Sequence, residues 1–139
     1  MMIVRLIATF ILFLALSVCW ADVISDLRPC IQATATANQL DPILMEAIIR
    51  CESANGQSKA AKNKNNLAGI MGRRHLKRFG TKEECIADLG HILVVYRSRG
   101  LTSVERIAKR YAPYHRSKWT RLINLYMDHI KAGKWGKLD

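Results

Sequence analysis

The chain has 139 residues, which is the length of one domain. It carries 22 Lys and Arg against 11 Asp and Glu, so its formal net charge is +11, and 50% of its residues are apolar. That apolar content excludes a disordered basic tail, and four cysteines are too few for a disulfide-rich miniprotein. The positive charge suits an anionic partner such as cell-wall polymer, phospholipid or nucleic acid.

The N-terminus has the three parts of a secretory signal peptide, residues 1–21. Arg5 supplies the positive charge, residues 6–18 form the apolar segment, and small residues lie at the −3 and −1 positions of a cleavage site after Ala21. A transmembrane anchor is the alternative reading, but a membrane-spanning helix needs about 20 apolar residues. We therefore predict a secreted or periplasmic protein with a single domain over residues 22–139.

Five helices are predicted after the signal peptide. Asp41 and Pro42 start the second helix as N-cap and first helical residue, and capping boxes at Thr81 and Thr102 start the third and fourth. The predicted helices run from 22 to about 38, from 41 to between 53 and 56, from 81 to 100, from 102 to 111 and from 117 to 133. Because no segment shows strand alternation, we predict an all-α fold with at most a vestigial hairpin.

Residues 55–80 interrupt the helical pattern. They are polar and rich in Asn and Gly, so we expect loop and short turns around a small apolar segment at 67–71. Three cysteines follow the signal peptide: Cys30, Cys51 and Cys85. Two of them can pair in an oxidising compartment, although the sequence does not select a pair, and buried thiols are the alternative. No Cys-x-x-Cys or His spacing indicates a metal, and we predict no metal and no cofactor.

Glu52 is the first candidate for chemistry. It lies at the end of an apolar helix, where the chain enters a polar loop, so its carboxyl is expected to be half buried. Burial raises the pKa of a carboxyl, and a glycosidase needs such a group to protonate the leaving oxygen. An exposed surface Glu is the simpler alternative.

Three sequence blocks in this order favour a catalytic Glu52 over an exposed surface Glu. They are Glu52-Ser53-Ala54-Asn55-Gly56-Gln57-Ser58, then Asn65-Asn66-Leu67-Ala68-Gly69-Ile70, then Tyr111-Ala112. Together they resemble the peptidoglycan glucosaminidases of glycoside hydrolase family 73, and the resemblance covers roughly residues 40–130. It implies a lysozyme-like fold, peptidoglycan glycan strands as the substrate and cleavage of the β-1,4 bond beside N-acetylglucosamine.

The same resemblance implies site residues. The catalytic acid falls on Glu52 and the active-site tyrosine on Tyr111, for which a core aromatic is the alternative. Substrate contacts are expected from Ser53, Asn65, Asn66, Gly69 and, in the last loop, Tyr114. For Asn65 and Asn66 the alternative is turn formation, which Asn tolerates.

The sequence departs from the family pattern in two ways. Ala54-Asn55 and Ala68 stand where the family has Gly-Trp and Phe, which removes aromatic surface for sugar stacking. Family members also often carry a second acid on a β-hairpin, whereas residues 71–80 hold no carboxylate. That interval instead holds five basic residues: Arg73, Arg74, His75, Lys77 and Arg78. They are a candidate anion-binding cluster, with a solvated loop as the alternative.

The identity of a second catalytic carboxylate is therefore open: it is Glu83, Glu84, or no second carboxylate takes part. With one carboxyl, the substrate's N-acetyl oxygen can attack the anomeric carbon, or the 6-hydroxyl can do so, as in a lytic transglycosylase. We expect the hydrolase, with the transglycosylase or a catalytically weak peptidoglycan-binding domain as alternatives. We further expect a monomer that can work with cell-envelope machinery and does not bind nucleic acid, because no recognition-helix signature is present.

Overall fold

The computed structural model describes residues 22–138, in which six helices and no β-strand occur. The helices are α1 (Val23–Ala37), α2 (Pro42–Ser53), α3 (Lys59–Lys64), α4 (Lys82–Ser98), α5 (Val104–Tyr111) and α6 (Arg116–Lys131). The prediction of an all-α fold is confirmed, and the expected vestigial hairpin is one antiparallel bridge between Met71 and Leu76. The predicted signal peptide lies outside the described residues.

Local capping signals set most helix starts. Asp22 accepts a hydrogen bond from the Ile24 amide at 3.1 Å and starts α1. Asp41 accepts one from the Ile43 amide at 2.9 Å and starts α2, with Pro42 as the first helical residue. These side chains bond amides that have no partner within the helix, which is why the sequence predicts these starts closely.

Two features of the helices differ from the prediction. Ser103, not Thr102, caps α5, because its hydroxyl accepts a hydrogen bond from the Arg106 amide at 3.2 Å. The short helix α3 occupies a segment predicted to be loop. It has six residues, too few to display an apolar period of 3.6 residues. Ser58 caps it through the Ala61 amide at 3.1 Å.

Helix α2 is the centre of the core, since it packs against both α1 and α6. Four apolar side chains of α2 are fully buried: Met45, Ala47, Ile48 and Ile49. Helix α1 also contacts α4, and α5 packs against α6. The chain therefore holds the C-terminal end of α2, where Glu52 lies, between α6 and the segment that follows α3.

A buried network of charges fixes this end of α2. The Arg50 side chain is fully buried, and its Nε lies 2.9 Å from Glu46 Oε1 while its Nη2 lies 2.8 Å from Asp22 Oδ2. Arg28 completes the network with Nη2 2.7 Å from Glu46 Oε1. The Trp135 ring covers Arg50, whose guanidinium carbon lies 4.1 Å from the ring centroid. The network joins α1, α2 and the C-terminal segment, and buried ions persist only when they are paired in this way.

The three described cysteines are free thiols. Cys85 is buried and accepts a hydrogen bond from the Leu67 amide at 3.3 Å. Burial raises the pKa of Cys51 to about 11, and the neighbouring Glu52 charge adds to that increase. A thiol with a raised pKa is a weak nucleophile, so this geometry favours no thiolate chemistry at Cys51. Over residues 22–138, no helix is both long and apolar enough to cross a membrane.

Candidate active site

Glu52 occupies the last turn of α2, immediately before a tight reversal of the chain. Ala54 and Asn55 both adopt left-handed backbone, with φ of 49° and 55°. Ser53 is buried beneath this reversal: its hydroxyl donates to the Ile49 carbonyl and accepts from the Gly56 amide at 2.8 Å. Ser53, expected to contact substrate, thus bonds the backbone around the reversal and holds Glu52 at its edge.

The two oxygens of the Glu52 carboxyl have different surroundings. Oε1 accepts a hydrogen bond from the indole Nε1 of Trp119 at 2.7 Å. Oε2 lies against the backbone of Gly69, at the place where a Cβ would approach it to 2.9 Å. One oxygen is therefore anchored by α6, while the other faces the segment that follows α3.

The protonation of Glu52 follows from its burial. Burial raises the pKa of the Glu52 carboxyl, and the Trp119 hydrogen bond lowers it by a smaller amount, so the net pKa is above the ordinary value. Burial disfavours the charged form of a carboxyl, whereas a donor stabilises it. A carboxyl in this position holds its proton to higher pH than an exposed Glu and still has a partner for the ionised state.

Gly69 is required at its position for two independent reasons. Its φ of +66° lies in the left-handed region, which residues other than Gly rarely adopt. A side chain would also meet the Glu52 carboxylate. The glycine therefore lets the backbone touch the candidate acid. Gly69 also lines the adjacent groove, whereas Glu52 is not among the residues that line it.

Tyr111, at the end of α5, is brought to the same place. Its ring stacks on Trp119 with centroids 5.3 Å apart and an interplanar angle of 24°. Its hydroxyl donates a hydrogen bond to the Ala68 carbonyl. Burial raises the pKa of Tyr111 well above its usual value, and the Glu52 charge raises it further. The phenol is therefore a neutral donor that fixes the backbone segment facing Glu52.

Asn65 and Asn66 both bond the protein itself. Asn66 is buried, and its amide donates to the carbonyls of Ile70 and Lys77 at 2.8 and 2.9 Å while its oxygen accepts from the Ile70 amide at 3.1 Å. Asn65 ends α3 in left-handed backbone and donates to the Phe79 and Gly80 carbonyls. Both side chains shape the segment that carries Gly69, so turn formation, the alternative to substrate contact, describes both residues.

A groove of about 390 Å³ begins beside Glu52, at Gly69 and Tyr111. Its apolar wall consists of Ile70, Met71, Ile92 and Val95, and its polar lining of His91, Tyr96 and Arg110. Tyr114 does not line this groove; it lies in the turn between α5 and α6 with 92% of its surface exposed. The groove is large enough for a sugar residue or a short peptide.

The two acids considered as a second carboxylate are accounted for differently. Glu84 accepts a hydrogen bond from the Gly80 amide at 2.9 Å, and its own amide donates to Thr81 at 3.2 Å, so it belongs to the start of α4. Glu83 is exposed in the first turn of the same helix. Asp88 is paired with Lys77 at 3.1 Å. Among residues 22–138, no group of three His, Cys, Asp or Glu is arranged to hold a metal.

The basic cluster lies on the bridged loop beside the groove. Arg73, Arg74, His75, Lys77 and Arg78 are exposed there. Arg78 donates to the Asn63 carbonyl and Lys77 pairs with Asp88, so these two have partners. Met71, which starts the loop, is 62% exposed and also lines the groove. The loop therefore places positive charge near one end of the groove.

Trp119 is the site residue that the sequence reasoning did not assign to Glu52. The structure shows that it is buried and bonded to the candidate acid. The two residues are 67 positions apart, so no local pattern joins them. Comparison of the chain with protein-family models, curated proteins and solved structures gives no match.

Proposed function

We propose that this protein is a peptidoglycan hydrolase that cleaves the β-1,4 glycosidic bond beside N-acetylglucosamine, with Glu52 as general acid. The observation that carries the proposal is the state of that carboxyl. It is half buried, its pKa is raised, and Trp119 anchors one of its oxygens while the other faces the groove-lining Gly69. A general acid must hold a proton near neutral pH and must touch the space where substrate binds.

The three sequence blocks support the same assignment. The first block carries Glu52, the second carries Gly69 and the third carries Tyr111. Gly69 contacts Glu52, and both Gly69 and Tyr111 line the groove. The blocks resemble those of family 73 glucosaminidases, and a peptidoglycan substrate, which lies outside the cytoplasmic membrane, agrees with the predicted signal peptide.

The proposed reaction needs one protein carboxyl. Glu52 donates its proton from Oε2 to the glycosidic oxygen as the bond from that oxygen to the anomeric carbon breaks. The acetamido oxygen of the same sugar attacks the anomeric carbon and forms an oxazolinium ion. The Glu52 carboxylate then removes a proton from water, which opens the ring of this intermediate and gives a new reducing end. Substrate assistance is an established exception to the two-carboxylate rule.

Trp119 and Tyr111 have positioning roles in this scheme. Trp119 donates to Oε1 whether the carboxyl is protonated or ionised, which leaves Oε2 to carry the proton. Tyr111 stacks on that indole and holds the Ala68 carbonyl, so it fixes the distance between α6 and the Gly69 backbone. The reacting oxygen is therefore defined by contacts from two other segments of the chain.

A lytic transglycosylase is the second candidate, because two acids of α4 are already engaged. Glu84 bonds the Gly80 amide and Asp88 pairs with Lys77. Because neither Glu84 nor Asp88 is free to activate water, the 6-hydroxyl of a muramic acid residue can instead attack the anomeric carbon of that residue and give an anhydro-muramic end. The third candidate, a peptidoglycan-binding domain without turnover, follows from the same shortage of acids.

The test is digestion of isolated sacculi by protein purified after expression of the full chain, followed by mass spectrometry of the soluble products. Reducing N-acetylglucosamine ends support the hydrolase, anhydro-muramic ends support the transglycosylase, and binding without products supports the binder. Glu52→Gln is expected to lower the rate by about 10²- to 10⁴-fold, the usual contribution of general acid catalysis. Glu83→Gln, an exposed carboxyl on α4, is the matched control and is expected to retain the rate.

A further inference from the structure

The groove beside Glu52 has one feature that a neutral sugar chain does not require. Its wall is apolar at Ile70, Met71, Ile92 and Val95, and its one charged lining residue among those described is Arg110. A glycan strand presents hydroxyl and acetamido groups, which polar side chains bind well. An apolar wall with a cation at its edge fits a ligand that has both an aliphatic part and a carboxylate.

Arg110 is available for such a ligand. It lies on α5 next to Tyr111, and its side chain is exposed. Arg110 and Tyr96 line the same groove. The positive charge of Arg110 lowers the pKa of Tyr96, against the larger increase from burial. Within residues 22–138 Arg110 makes no hydrogen bond or ion pair with the protein. A guanidinium that is exposed, unpaired and next to an apolar wall can bind a carboxylate with two parallel hydrogen bonds.

We propose that Arg110 and the apolar wall form a subsite for the carboxylate-bearing substituent of the muramic acid residue next to the cleaved bond. In peptidoglycan that substituent is either the free lactyl carboxylate of a denuded strand or the peptide stem attached to it. The shared chemistry is a short aliphatic group that ends in a carboxylate. This inference rests on the proposed function, since it assigns the substrate class of the same groove.

The consequence is selectivity between glycans. A chain of N-acetylglucosamine alone has the same β-1,4 bonds and acetamido groups but no carboxylate, so it fills the subsite poorly. A stem-bearing strand places aliphatic carbons on the wall and a carboxylate at Arg110. A denuded strand instead presents the free lactyl carboxylate, which is an amide while the stem is attached. The three ligands therefore separate the contribution of the wall from that of the cation.

The experiment measures dissociation constants with the Glu52→Gln protein, so that cleavage does not alter the ligands. The probes are uncrosslinked glycan strands with intact stems, the same strands after an amidase has removed the stems, and chitooligosaccharides of matched length. Each is titrated against Glu52→Gln alone and with a second change, Arg110→Gln, Arg110→Lys or Lys109→Gln. Lys109 is exposed on the same helix and does not line the groove, so Lys109→Gln controls for the loss of one positive charge.

We expect Arg110→Gln to weaken binding of stem-bearing strands by about tenfold, the low end for a hydrogen-bonded ion pair. Binding of chitooligosaccharides is expected to stay the same, Lys109→Gln to have little effect on any probe, and Arg110→Lys to recover part of the affinity. A loss confined to stem-bearing strands assigns a carboxylate of the stem. A loss confined to denuded strands assigns the lactyl carboxylate, which is an amide in stem-bearing strands, and a loss with both shows that Arg110 binds either carboxylate.

An equal loss for all three probes, or no loss for any, overturns the inference. Its failure is distinguishable from failure of the proposed function, because turnover is measured with the unmodified protein on sacculi. A protein that cleaves sacculi but binds every probe independently of Arg110 retains the function and loses the subsite. A protein that cleaves nothing but discriminates through Arg110 loses the catalytic proposal and keeps the subsite as that of a binding domain.

Discussion

Trp119 donates its indole N–H to Glu52 Oε1 across 2.7 Å and across 67 residues of sequence. The bond joins the middle helix of the core to the last one at the place where the groove begins. It also opposes burial in setting the pKa of the carboxyl. A candidate acid with a raised pKa thus has a fixed donor for its charged state, which is the arrangement that proton donation followed by proton removal requires.

Replacing Trp119 by Phe tests that bond. Phe keeps a ring that can stack on Tyr111 but removes the donor, so the pKa of Glu52 is expected to rise further. The alkaline limb of the pH–rate profile should move to higher pH, and the protein should lose about 1–3 kcal/mol of stability because the carboxyl loses its donor. Trp135→Phe is the matched control for the pH profile: Trp135 stacks on Tyr126 and covers Arg50, so this change tests loss of an indole that does not bond Glu52. Identical profiles for Trp119→Phe and the unmodified protein would exclude the role given to this bond.

The contact between Gly69 and Glu52 is tested by Gly69→Ala. The new Cβ would lie 2.9 Å from Oε2, so the carboxyl must shift, and activity on sacculi should fall at least tenfold. Left-handed backbone at a residue with a Cβ costs roughly 1–2 kcal/mol. Gly100→Ala isolates that backbone cost, because Gly100 has a φ of +76° and nothing within 4 Å of the new Cβ. Equal activity of the two variants would show that contact with the acid is unimportant.

The raised pKa of Glu52 makes a prediction about stability and pH. The folded state holds this proton more tightly than the unfolded state, so ionisation of Glu52 lowers the stability of the fold as the pH rises from the unfolded pKa, near 4.5, through the higher folded pKa. Glu52→Gln keeps an oxygen that can accept from Trp119 and removes the charge. It should therefore stabilise the protein at neutral pH and have little effect near pH 3. Urea unfolding at both pH values measures the difference, and a variant that is less stable at neutral pH would contradict the assignment.

The Arg50 network makes a prediction that is separate from function. Arg50→Met leaves Glu46 with Arg28 alone and leaves Asp22 without its cation, and breaking a buried ion pair costs about 3–5 kcal/mol. Lys77→Met removes an exposed pair with Asp88 and should cost about 1 kcal/mol or less. Urea midpoints of the two variants provide the comparison. Similar midpoints would mean that the buried network is no more important than a surface pair.

The same network predicts how the fold responds to acid. Burial raises the pKa of Asp22, but the hydrogen bonds from Arg50 and Ser25 and the charge of Arg50 outweigh it, so the folded pKa lies below the ordinary value. Asp22 therefore contributes stability above the unfolded pKa, near 3.8, and that contribution disappears as the pH falls through the folded pKa. Asp22→Asn should be most destabilising near neutral pH and approach the unmodified protein at low pH in thermal unfolding. A difference that is constant with pH would exclude this origin.

Interactions between residues that are close in the sequence determine much of the fold. Asp41 with Pro42 starts a helix, and the helical spacing of apolar residues gives each long helix a buried face, because these effects act within about four residues. The short helix α3 was not predicted because six residues are too few to show a helical apolar period. The predicted N-cap of α5 was wrong by one residue because Thr102 and Ser103 are both good N-cap residues. The sequence also made Glu52 a candidate, through its position between an apolar helix and a polar loop and through the resemblance carried by the three sequence blocks.

The arrangement around Glu52 was decided by tertiary structure. Whether Asn66 binds a ligand or the backbone depends on which carbonyls the folded chain brings to it, and those of Ile70 and Lys77 occupy its amide. The pairing of Trp119 with Glu52 depends on α2 packing against α6, which no residue in either helix specifies alone. Sequence patterns record contacts between near neighbours, whereas the pKa of a buried carboxyl is set by whatever segments surround it. The residue type at position 52 came from the sequence, and its proton affinity came from the fold.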